Sequence, residues 1–84
     1  MAQTFQIEIA TPEKLLLNQQ AEYAEIPGKD GYLGILPDHA ALLSELGEGE
    51  LTITTAGKKE KFTISGGYVE IRDNHVRVLA DNAK

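Results

Sequence analysis

The residues of this chain with the types to do chemistry are few and scattered. There are two histidines, His39 and His75, two serines, Ser44 and Ser65, thirteen acidic residues and no cysteine. Neither histidine has a partner at H-x-H or H-x3-H spacing, and no thiolate is available, so a metal centre lacks a ligand set. Neither serine lies in the G-x-S-x-G turn that exposes a hydrolytic nucleophile. Acids such as Glu8, Glu22 and Glu70 alternate with apolar residues, which places them on the solvent side of strands rather than in a facing catalytic pair. Gly28, Gly31 and Gly34 are spaced by three with no G-K-S or G-K-T behind them, so they build no phosphate cradle. His39 reads as a ring packed at a corner and hydrogen-bonded to backbone, and His75 as a solvated turn residue. The expected chemistry is that of a binding surface, with no catalytic residue, cofactor or metal.

The charge narrows the partner. Thirteen acids against eight bases give a formal net charge of −5. A nucleic-acid binder needs a basic face to neutralise phosphates, so nucleic acid is not the expected partner. An anionic membrane surface is disfavoured for the same reason. Lys58, Lys59 and Lys61 flank a turn and read as a solvated hairpin tip. No run of about 18 apolar residues is present, so no helical span is expected. The opening MAQTFQIEIA lacks the basic region and apolar core of a signal peptide. At 84 residues the chain reads as one small domain over 1–84.

These residues need elements to position them, and the elements are strands. Phe5, Ile7 and Ile9 alternate with Gln6 and Glu8, a half-buried strand that Thr11–Pro12 ends. Leu15–Leu17 and Glu22–Ile26 read as further strands. Leu51–Thr55, Lys61–Ser65, Tyr68–Arg72 and His75–Leu79 each put apolar residues on one face, among them Phe62, Ile64, Val69, Ile71, Val76 and Val78. Turn signals separate them: Gly47 to Gly49, Ala56–Gly57, a bulge or bend at Gly66–Gly67, and the two-residue hairpin Asp73–Asn74. Ala80–Lys84 reads as a polar tail. Short alternating segments at intervals of roughly 8–12 residues predict an all-β fold, a small two-sheet β-sandwich or flattened barrel of mostly antiparallel strands.

The stretch Ile26–Leu43, IPGKDGYLGILPDHAALL, departs from this pattern. Pro27–Gly28 and Asp30–Gly31 are turn dipeptides, Tyr32–Leu36 is short and extended, and Pro37–Asp38–His39 breaks it again. Ala40–Leu46 has good helix formers and a capping Asp38, but it is short and its surroundings are β, so a strand is expected. Tyr32 reads equally as an interface anchor or a half-buried strand aromatic, and Tyr68 as structural. Shaped, partly apolar corners are where partners dock. The residues alone stop at a docking module, and a generic protein- or ligand-binding sandwich is the alternative reading.

The central motif E-x-x-x-I-P-G-x-x-G-x-L-G-I-L-P-x-H-A-x-L-L is followed by S-G-G-Y-V-E-I and V-x-V-L-A-D-x-A, and preceded by I-A-T-P-E. In that order, across nearly the whole chain, the sequence resembles the N-terminal β-sandwich domain of the epsilon subunit of F-type ATP synthase. The resemblance implies a non-catalytic rotor subunit that binds the gamma subunit and the c-ring. That subunit couples proton or sodium translocation to ATP synthesis at the cytoplasmic face of a bacterial plasma membrane, or at the equivalent organellar face. It implies that the loop Lys29, Asp30, Gly31 and Tyr32 faces the c-ring, and that Thr11, His39, Leu42 and Ser44 face the gamma stalk. Membrane association is expected only through the complex. Tyr32 stands where the family is often acidic or polar, Asp38 where many members carry glycine, and Ala41 where many carry proline. The family usually continues into a helical hairpin beyond the end of this chain. Without that hairpin neither its inhibition of ATP hydrolysis nor ATP binding is expected.

Overall fold

In the computed structural model, which describes residues 3–84, the chain forms eight strands and, among the described residues, no helix. They are β1 (Phe5–Ala10), β2 (Leu15–Ala21), β3 (Tyr23–Gly28), β4 (Gly31–Ile35), β5 (Leu42–Glu45), β6 (Glu48–Thr55), β7 (Lys58–Arg72) and β8 (His75–Ala83). The hydrogen-bonded order is β2-β1-β8-β7-β6-β3-β4, with β5 also paired to β7. Every pairing is antiparallel except β1 with β8.

The two expected sheets are one continuous sheet folded over at β7. The first half of that 15-residue strand pairs with β6, and the second half with β5. The fold-over falls at Gly66–Gly67, where both φ angles are positive, at 70° and 109°. Pairing with β8 keeps its register across this point, from Ser65↔Asn82 to Gly67↔Ala80, so the feature is a bend rather than a bulge. A Cβ at Gly67 would overlap the Leu79 carbonyl oxygen, so glycine is required there by close approach as well as by φ.

Alternation fills the core between the layers. Ile7, Ile9, Val69, Ile71, Val76 and Val78 come from one layer, and Ala24, Ile26, Ile35, Leu51 and Ile53 from the other, all buried. Two hairpins close on turns with consecutive positive φ, Ala56–Gly57 and Asp73–Asn74, the geometry of a type I′ turn that matches strand twist.

Three expectations need correction. Ala80–Lys84 is not a tail: β8 runs on to Ala83, Ala80 is buried, and Lys84 and Thr63 exchange backbone bonds of 2.9 Å each way. Pro27–Gly28 is not a turn but the end of β3, with Lys29–Asp30 forming the turn. Proline is tolerated because the β3–β6 ladder is interrupted between Glu25↔Thr52 and Gly28↔Leu46, so no ladder donor is lost. Glu48 and Gly49 likewise belong to β6 rather than to a loop. The strand expected within Ala40–Leu46 is present as β5.

Candidate partner-binding surfaces

The expected ring-facing residues Lys29, Asp30, Gly31 and Tyr32 are contiguous at the tip of the β3–β4 hairpin. Lys29 is anchored twice to Glu45: its amide donates to the Glu45 carbonyl at 3.0 Å, and its Nζ lies 3.1 Å from Oε2. The Glu45 hydrogen bond and negative charge hold the Lys29 ammonium above its ordinary pKa of 10.5. Asp30 is exposed and carries the tip's free negative charge. Tyr32 does not project from the tip. Its ring lies back across its cross-strand partner Pro27 towards Gly49, and its hydroxyl accepts the Glu50 amide at 3.1 Å. The ring remains 58% exposed, so the tip offers an aromatic surface whose hydroxyl is already engaged.

Of the four expected stalk-facing residues, three are neighbours. His39 lies in the loop that leads into β5, and Leu42 and Ser44 are on β5. The His39 Nδ1 lies 2.7 Å from the Ala40 carbonyl oxygen. A carbonyl only accepts, so in this contact Nδ1 carries the proton. Leu42 pairs with Ile71 and Ser44 with Val69, both core residues, so by register these two side chains share the inner face. Leu43, between them, points outward and is 70% exposed. A shallow cleft of about 300 Å3 beside it is lined by Ala41, Leu42, Leu43, Glu70, Ile71 and Arg72.

Thr11 stands at another corner. Its hydroxyl accepts the amides of Glu13 and Lys14 at 3.3 Å each, which closes the β1–β2 turn. Registers run from Ala10 through Leu79 and Tyr68 to Glu45, so Thr11 is set off from Leu42 by four positions along the strands and three strands across.

Between these corners lies a surface that the motif did not single out. The outward row Leu15, Ala10, Leu79, Tyr68 crosses four strands, and its large members are 54%, 49% and 53% exposed for Leu15, Leu79 and Tyr68. Tyr68 is thus a surface aromatic, where a structural role was expected. The alternation already carried this signal: with Val69, Ile71, Val76 and Val78 inward, Tyr68 and Leu79 must face out. The next row is charged. Glu8 accepts from His75 Nε2 at 2.6 Å and lies 3.7 Å from Arg77 Nε, so His75 is a strand residue hydrogen-bonded to Glu8 rather than a solvated turn residue. Among the described residues no group of three or more His, Asp or Glu side chains is placed to hold a metal. No helix among the described residues is long and apolar enough to cross a membrane.

Comparison with known proteins places this arrangement. A folded-over, all-β sandwich like it occurs in a chain of the mitochondrial ATP synthase of Euglena gracilis, from an assembly of OSCP, F1 and c-ring. The TM-score is 0.88 at 24% identity, over 100% of this chain and 54% of that one. A chain of the Tetrahymena thermophila mitochondrial ATP synthase, from its central stalk and c-ring, matches with TM-score 0.81 at 22% identity, over 98% of this chain and 66% of that one. Within this fold class, residues 4–84 match the family model for the β-sandwich domain of the ATP synthase delta/epsilon chain, and the chain belongs to that family. The ATP synthase epsilon chain of Solibacter usitatus is 45% identical over 84 residues. The match covers 100% of this chain and 63% of that protein, so the chain spans less than two thirds of its relative's length.

Proposed function

We propose that this chain acts as a rotor subunit of an F-type ATP synthase, joining the gamma stalk to the c-ring without catalysing a reaction itself. Membership of the delta/epsilon β-sandwich family over residues 4–84 is the observation that carries the proposal. The geometry supports it, because the docking surfaces lie at separate places on one stiff body. The β3–β4 tip, with Lys29, Asp30, Gly31 and Tyr32, takes the polar loops of the c-ring. The sheet surface between Thr11 and His39, with Tyr68, Leu79, Leu15 and Leu43 exposed, takes the gamma subunit. A coupling element has to pass torque between two partners, and a core of tightly packed β-branched side chains transmits strain with little give. No reaction chemistry is assigned to the chain. Its place at the membrane is then peripheral and comes from its partners.

The test is cross-linking in the assembled enzyme. Cysteine at position 30 should join the c-ring, and cysteine at position 39 should join gamma. A chain that assembles but gives both bonds to other subunits contradicts the proposal, as does one that fails to assemble. A generic binding sandwich would give neither bond.

A further inference from the structure

We infer that Asn74 is the positioning residue of the His39 loop, holding it in the shape it presents to a partner. Six residues, numbers 36–41, connect β4 to β5. Leu36 on this loop is 60% exposed, and His39 is half-buried with its Nδ1 held by the Ala40 carbonyl. Among the described residues, one hydrogen bond ties the loop to another element: the Asp38 amide donates to Asn74 Oδ1 at 2.7 Å. Asp38 itself has φ of 63°. A connection of this length with no ladder bonds has many backbone states open to it, so a single short bond at its midpoint decides which is populated.

Asn74 is fixed from its other side. Its Nδ2 donates to the Thr4 carbonyl at 2.8 Å, and its own carbonyl accepts the Gln6 amide at 3.1 Å. Its φ of 61° is set by the Asp73–Asn74 turn. The side chain is therefore a fork with both polar atoms used: the amide nitrogen grips the start of β1, and the oxygen grips the loop. Only an amide supplies a donor and an acceptor at that separation. The turn alone would be served as well or better by glycine, so asparagine at this position is accounted for by the bonds it makes and not by the turn.

This inference rests on the reading of the His39 loop as part of the gamma-facing surface. Its test compares two variants with the wild-type chain, measuring gamma affinity by calorimetry and Asp38 amide exchange by NMR. Asn74→Gly keeps the turn and removes both side-chain bonds. It should melt within a few degrees of wild type, speed Asp38 exchange and weaken gamma binding roughly five- to tenfold. Asn74→Asp keeps the acceptor for Asp38 but loses the donor to Thr4, so its Asp38 exchange and gamma affinity should fall between those of wild type and Asn74→Gly. If wild type binds gamma and Asn74→Gly binds it equally well, the positioning role is overturned. If Asp38 exchange is the same in wild type and Asn74→Gly, the tether itself is overturned. If wild type does not bind gamma, the gamma reading fails first and this inference falls with it.

Discussion

The Tyr32 hydroxyl accepts the Glu50 amide at 3.1 Å across the end of β3. The pairing has a local cause. In β6 the amides of alternate residues face β3, but that ladder is interrupted at Pro27, whose carbonyl accepts the Gly47 amide at 2.9 Å instead. The Glu50 amide would lose its partner there, and the tyrosine hydroxyl replaces it. Gly49 makes room, since a Cβ at that position would come within 2.5 Å of the Tyr32 oxygen and 3.1 Å of the Pro27 Cβ.

This predicts coupled energetics in chemical denaturation. Tyr32→Phe should cost about 0.5–1.5 kcal/mol, the usual net value of one hydrogen bond. Gly49→Ala should cost more, about 2 kcal/mol, because the ring must move to admit a methyl group. Combined with Tyr32→Ala, Gly49→Ala should lose much of its penalty, giving a double-mutant coupling of roughly 1 kcal/mol. Strict additivity would mean the ring is not seated there.

The bend in β7 makes a second prediction. Gly67→Ala places a methyl group on the Leu79 carbonyl at φ of 109°. It should destabilise by at least ~2 kcal/mol and drop the melting temperature by ten degrees or so in a chain this small. Gly57→Ala is the control, with φ of 80° and nothing within 4 Å of the added Cβ. It should cost about 1 kcal/mol. Equal losses at the two sites would contradict the close approach.

Much of this architecture is legible in the sequence and some is not, for physical reasons. Val76 and Val78, or Phe5, Ile7 and Ile9, alternate strictly, so their strands and inward faces can be read directly. The end of β8 cannot, because Asp81, Asn82 and Ala83 carry no apolar period and are extended only by pairing with β7, a long-range contact. Pro27 misleads for the opposite reason: its type signals a turn, and only the interrupted ladder beside it makes it a strand residue. The continuous sheet is hidden too, since nothing local says that β5 and β6 share one edge of β7. Of the candidate site, Lys29 to Tyr32 and His39 are picked out by the motif. The direction of the Tyr32 ring and the bonds of Asn74 depend on residues 18 and 36 positions away.

The hairpin tip makes a third prediction, from the Lys29–Glu45 contact. The folded-state pKa of Lys29 is raised, so its stabilising contribution is fully present below the ordinary value of 10.5 and is lost as pH climbs through the raised value. Stability measured from pH 7 to pH 11.5 should therefore fall less steeply at the alkaline end in Lys29→Gln than in wild type. The difference between the two chains should be flat between pH 7 and pH 9. A difference that grows on acidification from pH 9 to pH 7 would contradict the assignment, since Glu45 is the partner that sets it.

The outward apolar row makes a fourth. Tyr68→Glu and Leu79→Glu change exposed side chains, so each should leave the melting temperature within a few degrees of wild type. If this row meets gamma, each should weaken that complex at least about tenfold, because a buried unpaired carboxylate is costly. Unchanged gamma affinity in both variants would move the interface off this face.

The central claim is that this chain is a stalk component, and co-elution tests it most directly. The chain and separately purified gamma subunit from the same source are mixed at micromolar concentration and run on a sizing column. The account predicts a stable one-to-one complex. Two separate peaks, unchanged when the assembled stalk and ring replace free gamma, would contradict it.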